Sequence, residues 1–174
     1  MADPSSHIPA VSLTLVDQIQ IVSIAARRGR AGELRDRLRS LLQVEAPQGP
    51  ARAWAGSTSL LGVGPDRWLA VREGLSPPLF ALELELAGLA AVCDQGDAYA
   101  VFAVVGPAAG RVLAKGVPLD LDPSVFSLNS AAATLVAHMG VIVWRADDGF
   151  RIAVLRSYAK SFQHWLDGAA AEFA

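Results

Sequence analysis

The alternation of hydrophobic and polar residues divides the first part of the chain into a strand and a helix. Residues 20–26 are rich in β-branched side chains, which predicts a strand. Residues 29–44 carry leucines at the i, i+4, i+7 and i+8 positions of a helical period, which predicts a helix. These leucines are Leu34, Leu38, Leu41 and Leu42. Proline and glycine at positions 47–50 end this unit.

The middle of the chain combines a predicted hairpin with one ambiguous segment. Residues 57–63 and 67–71 are predicted strands, joined by the turn-forming Gly-Pro-Asp at 64–66. Residues 79–91 fit both periods, because some of their leucines share a helical face and others alternate. We predict a helix after Pro77 and Pro78, since the segment is long and rich in Leu, Glu and Ala.

In the last part of the chain, the sequence predicts a strand at 98–105. A short helix is predicted to begin at Gly106 and Pro107 and to end near residue 115. A turn-rich crossing at 118–127 leads to strands at 131–138, 141–145 and 151–155. Ser157 is the predicted N-cap of a final helix. That helix carries an apolar stripe that we expect to be buried and essential to the fold: Tyr158, Phe162, Trp165, Leu166, Ala169 and Phe173.

The order βαββαβ followed by αβββα, without a long linker, predicts an α+β fold built from two ferredoxin-like halves. Val-Gly-Pro at 63–65 and again at 105–107 is a faint sign of internal duplication. We expect residues 1–15 to form a flexible N-terminal tail and residues 16–174 to form a single domain.

Composition and charge narrow the function classes. The chain has 174 residues, of which 52% are hydrophobic and 18% charged, so it is not disordered and has the apolar excess of a protein with a partner. A net charge of −2 argues against nucleic-acid binding, although residues 27–39 hold six arginines and two acids. We predict that these arginines form a solvated face; an acidic partner is the alternative. The apolar runs are too short to span a membrane and the N-terminus is no signal peptide, so we expect a cytoplasmic location.

Two glycine-containing segments resemble anion-binding loops. Residues 62–67 begin like a dinucleotide fingerprint, but they lack its third glycine and a strand follows where a helix must start. Gly29 and Gly32 lie between a strand and a helix, where backbone N–H groups could face an anion. We favour ordinary turns at both places.

The histidines and the cysteine do not form a catalytic pattern in the sequence. We expect His138 to be a hydrogen-bonded structural residue in a strand and His164 to lie at the edge of the last helix. Cys93 is the one cysteine, which excludes a disulfide framework. It has no histidine or lysine beside it in sequence, so we expect a buried, inert thiol.

Paired carboxylates occur twice, at Asp120 with Asp122 and at Asp147 with Asp148. Both pairs lie in predicted turns, where aspartate commonly hydrogen-bonds to nearby backbone, and a paired acid-base site is the less favoured alternative. We predict that Lys115, Asp120 and Asp122 mainly shape the turn after the short helix.

Three stretches of the chain carry a more specific pattern. The first is DQGDA at 94–98, which leads through a strand to Gly-Pro at 106–107. The second is VLAKGVPLDLDP at 112–123, with Phe126 after it. The third runs from VWR at 143–145 through RSYAKSF at 156–162 to the terminal Glu172 and Phe173. Together they resemble the gamma subunit of heterotetrameric sarcosine oxidase, from about residue 62 to the C-terminus and more loosely through the first helix.

The resemblance implies a fold like the folate-binding domain of the glycine-cleavage T protein, and a complex with alpha, beta and delta subunits. Such a complex oxidises sarcosine to glycine, passes the methyl carbon to tetrahydrofolate or releases it as formaldehyde, and reduces oxygen to peroxide. The resemblance implies FAD, FMN, NAD and folate on the alpha and beta subunits and zinc on the delta subunit. It therefore implies no cofactor and no catalytic, cofactor-binding or metal-binding residue in this chain, which would be a non-catalytic structural subunit.

Three residues depart from the family pattern. Gly96 stands where serine is expected, Tyr99 where a short or basic residue is usual, and Gln163 where an aromatic residue is expected. The alternative to a structural subunit is a free-standing folate- or pterin-binding module. Such a module needs an acid to hold the pterin ring, and Asp94 and Asp97 are the candidates near a strand end.

Overall fold

The computed structural model describes residues 10–75 and 77–173 and arranges them in two antiparallel five-stranded sheets. The strands are β1 (Ser12–Leu15), β2 (Ile19–Ala26), β3 (Arg52–Ala55), β4 (Thr58–Gly64), β5 (Arg67–Glu73), β6 (Ala90–Asp94), β7 (Tyr99–Val105), β8 (Ala131–Val136), β9 (Met139–Ala146) and β10 (Gly149–Leu155). The helices are α1 (Ala31–Leu42), α2 (Leu82–Glu85), α3 (Ala109–Ala114) and α4 (Ala159–Ala170), with 3-10 turns at Leu79–Ala81, Arg156–Tyr158 and Ala171–Phe173.

The two sheets come from two units with the same order of elements. The first unit is β1-β2-α1-β3-β4-β5-α2 and the second is β6-β7-α3-β8-β9-β10-α4. The first sheet has the order β3-β4-β5-β2-β6, and the second sheet has the order β8-β9-β10-β7-β1. The units therefore exchange their first strands, because β1 pairs with β7 and β6 pairs with β2. This confirms the predicted α+β class with two related halves.

The Val-Gly-Pro tripeptides do not mark this duplication. Gly64 ends β4, whereas Gly106 follows β7, and these strands are not equivalent in the two units. The repeat is one of topology, and the sequence hint for it is wrong.

Residues 12–15 form a strand, although the sequence predicts that they belong to a flexible tail. β1 pairs with β7 along its whole length, from Ser12 opposite Val105 to Leu15 opposite Phe102. Leu13 packs against the core of the second unit. Four alternating residues are too short to predict a strand alone, but the edge of β7 supplies their hydrogen-bonding partners. Residues 1–9 of the predicted tail lie outside the described residues.

The segment 79–91 is not the single helix that its composition predicts. The 3-10 turn and α2 together end at Glu85, and the chain enters β6 at Ala90. Gly88 lies between them with φ +80°, a backbone conformation that favours glycine. The alternating residues Phe80, Leu82, Leu84 and Leu86 do not form a strand either, and the ladder with β2 begins only at Ala90. With β1 and β6, β3 is the third strand that the sequence does not predict.

Three apolar clusters hold the layers together. α1 packs Leu34 and Leu38 on the outer face of the first sheet. α3 and α4 pack on the outer face of the second sheet, where Phe162 is fully buried. Between the sheets, Ile21 of β2 shares a cluster with Trp144 of β9. Burying one such large side chain contributes roughly 1.5–3 kcal/mol, so the inter-sheet cluster is a substantial contact between the units.

The apolar stripe of the last helix is confirmed except at its beginning. Phe162 and Leu166 are fully buried and Trp165 is half-buried. Tyr158 is exposed and belongs to the preceding 3-10 turn. The prediction that Ser157 caps the helix is wrong. The backbone N–H of Ala159, the first residue of α4, donates to the carbonyl oxygen of Arg156, and no side chain caps α4.

Lys115 joins α3 to the end of α4, which corrects the prediction that it shapes the following turn. Its Nζ donates to the carbonyl oxygen of Ala169 at 2.6 Å and lies 2.9 Å from Oε1 of Glu172. It also lies 5.0 Å from the ring centre of Phe173. A cation is favourable at a helix C-terminus, where carbonyl groups are unpaired.

Candidate functional site

A cavity of about 770 Å³ lies between the two sheets. Residues of β2 and β5 line it from the first sheet, and residues of β8 and β9 line it from the second. Its lining is mainly apolar, and the polar residues that reach it are Ser23, Arg67, Gln95, Tyr99 and Thr134. A partly apolar cavity of this size with a few polar groups is typical of a ligand site, so it is the first candidate.

The strand pattern of β2 explains why the cavity exists. Alternate residues of a strand face opposite sides, so Ser23 and Ala25 lie on the same face as the buried Ile21. Ile21 fills the inter-sheet cluster, whereas the two smaller side chains leave space beside it. Ala133 and Gly140 are equally small on the opposite wall. The cavity therefore follows from four small residues that face each other across the sheets.

Asp94 and Asp97, the candidate pterin-binding acids, do not line this cavity. Both are exposed, and Oδ1 of Asp94 accepts a hydrogen bond from the backbone N–H of Gly96 at 2.9 Å. The residues that do face the cavity from this turn are Gln95 and Tyr99. The structure thus separates the proposed acids from the space that a pterin ring would need.

The histidine and cysteine predictions need two corrections. His138 lies in the turn between β8 and β9 with φ +71° and is exposed, rather than hydrogen-bonded within a strand. Cys93 is exposed, rather than buried, because it lies on β6, the edge strand of the first sheet. His164 is exposed on α4, as predicted.

The first carboxylate pair shapes its own loop, as predicted. Oδ1 of Asp120 accepts from the backbone N–H of Asp122 at 3.0 Å. Oδ1 of Asp122 accepts from the N–H and the hydroxyl of Ser124 at 2.9 and 2.6 Å. These hydrogen bonds lower the pKa of Asp122. The two carboxylates are therefore committed to local backbone contacts.

In the second pair, Asp148 holds Arg151 of its own hairpin, and Arg151 also reaches the other sheet. Arg151 donates to both carboxylate oxygens of Asp148, at 2.8 and 3.2 Å, and its Nε lies 3.2 Å from Oε1 of Glu73. Glu73 belongs to the first sheet and Arg151 to the second. The side chains of Asp147, Asp148 and Arg151 line a second cavity of about 360 Å³.

Arg52 crosses the same cavity and was missed by the sequence analysis. Its Nη1 donates to the carbonyl oxygen of Arg145 at 2.8 Å, and its Nε donates to the hydroxyl of Ser59 at 3.1 Å. Its guanidinium lies 4.4 Å from the ring centre of Trp54. Burial lowers the pKa of Arg52. No local sequence signal reveals this role, since Arg145 is 93 positions away.

The arginine-rich face of α1 is largely paired. Three of the carboxylates come from outside α1, namely Glu45 just after the helix, Asp66 of the hairpin turn and Glu85 of α2. The ion pairs are Arg30 with Glu33, Arg35 with Asp66, Arg37 with Glu85, and Arg39 with Asp36 and Glu45. This pairing reduces the local positive charge that the sequence shows.

Both glycine-containing segments form turns, as predicted. Residues 62–67 connect β4 to β5 with a register shift between Gly62 and Gly64. A Cβ at Gly62 would lie 1.9 Å from the carbonyl oxygen of Gly49, so only glycine fits beneath that backbone. Gly29 adopts φ +76° in the turn before α1.

Residues 10–75 and 77–173 contain neither a metal-binding cluster nor a membrane-spanning helix. In these residues no three His, Cys, Asp or Glu side chains are grouped so that they could hold a metal ion. No helix in the same residues is long and apolar enough to cross a membrane.

The paired units and the cavity between their sheets define the fold class. The chain superposes on the glycine cleavage system aminomethyltransferase T of Bartonella henselae with a TM-score of 0.66 and 17% identity. The match covers 92% of this chain and 46% of that protein. At this identity the likeness shows the fold alone, which is that of the T-protein folate-binding domain.

Closer relatives identify the family. The model of the sarcosine oxidase gamma subunit family matches residues 35–172. The sarcosine oxidase subunit gamma of Arthrobacter sp. is 34% identical over 88% of this chain and 76% of its own length. The corresponding subunit of Corynebacterium sp. strain P-1 is 36% identical over 67% of this chain and 59% of its own length. The chain belongs to the sarcosine oxidase gamma subunit family.

A solved structure supports the same assignment. The chain matches the heterotetrameric sarcosine oxidase of Corynebacterium sp. U-96, crystallised with pyrrole 2-carboxylate, with a TM-score of 0.83 and 31% identity. The match covers 94% of this chain and 85% of that chain.

Proposed function

We propose that this protein is a non-catalytic structural subunit of a heterotetrameric sarcosine oxidase that oxidatively demethylates sarcosine to glycine. The observation that carries the proposal is the match to a chain of such an enzyme over 94% of this chain. The hydrogen bonds of the candidate acids agree with a structural role, because Asp120, Asp122 and Asp148 are engaged in contacts with residues two or three positions away.

The partners that we propose are the alpha, beta and delta subunits of the complex. FAD, FMN, NAD and tetrahydrofolate would belong to the alpha and beta subunits, and zinc to the delta subunit. This chain would contribute no catalytic, cofactor-binding or metal-binding residue, and the assembly would work in the cytoplasm. The support is the family membership together with the similarity to the heterotetrameric enzyme.

A folate in the central cavity fits the residues poorly. The cavity has a suitable volume, but Asp94 and Asp97 lie outside its lining. A pterin ring carries several N–H donors, and the lining offers them the neutral acceptors Ser23, Gln95, Tyr99 and Thr134 but no carboxylate. We therefore assign no step of the reaction to a folate bound by this chain, and the free-standing folate module is the second-ranked function.

Co-expression of the tagged chain with the other three subunits tests the proposal. We expect the subunits to co-purify and the complex to consume oxygen when sarcosine is added. The tagged chain purified alone should show neither sarcosine-dependent oxygen uptake nor a flavin absorbance band after gel filtration. A flavin band on the lone chain, or failure of the subunits to co-purify, would contradict the proposal. Calorimetric titration of the lone chain with tetrahydrofolate tests the folate alternative.

A further inference from the structure

Three large apolar side chains are exposed close together on the first unit. Leu75 is 62% exposed, Phe80 64% and Leu84 85%. Leu75 and Phe80 line one shallow cavity of about 260 Å³, and Leu84 follows Phe80 by one helical turn. Scattered exposed leucines are ordinary, but a contiguous group of this kind marks an interaction surface. We call Leu75, Phe80 and Leu84 the apolar patch.

The backbone beneath the apolar patch is held in place by side chains of the first sheet. Nε2 of Gln20 donates to the carbonyl oxygen of Gly74 at 2.8 Å, and Oε1 of Gln20 accepts from the N–H of Leu79 at 2.6 Å. Arg72, which is buried, donates to the carbonyl oxygen of Pro77. A surface that is already ordered loses little conformational entropy when a partner binds.

The free edge of β6 adjoins the patch. The shallow cavity ends at Asp94, the last residue of β6, and β6 is the outermost strand of the first sheet. The N–H of Gln95 donates to Ile21, and the carbonyl of Leu89 accepts from Arg27. In an antiparallel ladder these bonds alternate, so the N–H and C=O groups of Val92 point away from β2.

β6 has little of the protection that edge strands normally carry, since it is short and its one charged residue is Asp94 at its end. Its sequence, AAVCD, contains no proline and no lysine, and its ladder with β2 has no bulge. Ala91, Cys93 and Asp94 are exposed. Such an edge is a template for an added strand from another chain.

The charges beside this surface favour a different chain over a second copy. Glu83 and Asp94 border the patch, and neither forms an ion pair with another described residue. A second copy would bring its own two carboxylates to the same small area, where like charges repel. An apolar segment with basic residues would complement the surface.

We propose that the apolar patch and the free edge of β6 form the surface on which another subunit of the heterotetramer docks, by adding an extended, apolar and basic segment. This inference rests on the proposed function and specifies the partner surface. Docking buries Leu84 and Cys93 and pairs the outward N–H of Val92.

Assembly of variants in the four-subunit complex tests the proposal. Leu84→Asp should reduce the amount of tagged chain that co-purifies with its partners at least tenfold. Val92→Pro should do the same, because it removes an N–H that β2 does not use. Val125→Asp is the matched control, since Val125 is 61% exposed in a different loop, and it should assemble like the parent. Unchanged melting of each lone variant shows that it folds.

Alkylation of Cys93 supplies a readout on the unaltered parent. We expect iodoacetamide to modify Cys93 at least tenfold more slowly in the assembled complex than in the lone chain. Peptide mass spectrometry measures the extent of modification. Equal rates, or normal assembly of Leu84→Asp, would overturn the docking surface while leaving the proposed function intact. If the parent itself does not assemble, the proposed function fails instead. A lone chain that dimerises, and becomes monomeric in Leu84→Asp, would show that the occupant is a second copy.

Discussion

The two units share their topology but close their apolar faces differently. The second unit ends in α4, whose 12 residues bury Phe162 and Leu166 against its sheet. The equivalent element of the first unit is α2, which has four residues and buries Leu82 while Leu84 remains exposed. The second unit thus completes its core with its own helix, whereas the first unit leaves apolar surface uncovered.

This difference shows how one fold can provide both a stable core and a contact surface. A helix of three turns presents enough apolar side chains to cover a sheet, and one turn does not. The phenylalanines follow the same division, because Phe102, Phe126, Phe150 and Phe162 all lie in the core of the second unit, whereas Trp68 is the large aromatic residue in the core of the first. Mutations in the two regions should therefore affect different properties.

The largest expected effect is on the closing helix of the second unit. Phe162→Ala removes a fully buried ring whose centre lies 5.1 Å from that of Phe102. We expect a loss of about 3–5 kcal/mol in the free energy of unfolding, measured by urea denaturation, because such a truncation leaves a cavity. A variant that unfolds at the same urea concentration as the parent would show that α4 does not close this core.

Trp165, on the same helix as Phe162, should contribute less to stability than Phe162 does. Because this side chain is only half-buried, Trp165→Ala should cost about 2 kcal/mol, at the lower end for a large side chain. A Cβ at Gly116 would lie 2.5 Å from Cζ2 of Trp165, so Gly116→Ala should cost about 1–3 kcal/mol in the parent. In the Trp165→Ala background this cost should largely disappear. Equal costs in both backgrounds would disprove the packing of Trp165 over Gly116.

The link between α3 and α4 should contribute less. Lys115→Met removes the hydrogen bond to Ala169 and the ion pair with Glu172. We expect a loss of about 1 kcal/mol, typical of one hydrogen bond, in thermal unfolding. Lys160→Met is the control, because Lys160 is exposed on α4, and it should change stability by less than about 0.5 kcal/mol. A similar loss of stability in both variants would argue against the bond between Lys115 and the end of α4.

The pair of Asp148 with Arg151 in the second sheet should make stability depend on acid pH. Hydrogen bonds from Arg151 lower the pKa of Asp148, so its ionised form stabilises the fold above the unfolded pKa of about 3.9. This contribution is lost as the pH falls through the folded pKa. Asp148→Asn should therefore lower the free energy of unfolding by less than about 1 kcal/mol at pH 7, as is usual for a half-exposed ion pair. Below the folded pKa of Asp148 the substitution should have almost no effect. A cost that does not change with pH would contradict this account.

The smallest expected effect on stability is at the apolar patch. Leu84→Ser should change the free energy of unfolding of the lone chain by less than about 0.5 kcal/mol, because the side chain is exposed. Leu82→Ala, two positions earlier and buried, should cost about 2–5 kcal/mol and is the matched contrast. A large loss with Leu84→Ser would mean that the first unit also closes its core with α2.

The sequence by itself determined the elements whose pattern is local and long. The leucines of α1, the hairpin of β4 and β5, and the buried positions of α4 follow from hydrophobic periods that identify the buried face without knowledge of the rest of the chain. The α+β class followed from the order of these elements, and the family followed from three stretches of sequence.

Only the tertiary structure decided the features that depend on distant partners. β1 and β6 are short strands, and each becomes a strand because the other unit offers an edge to pair with. The exposure of Cys93 and the contact of Arg52 with Arg145 depend on the same long-range packing. The central cavity exists because small residues from separate strands face each other. A local period specifies which face is buried, but it does not specify which element covers that face, and this was fixed only by the packing of the two units.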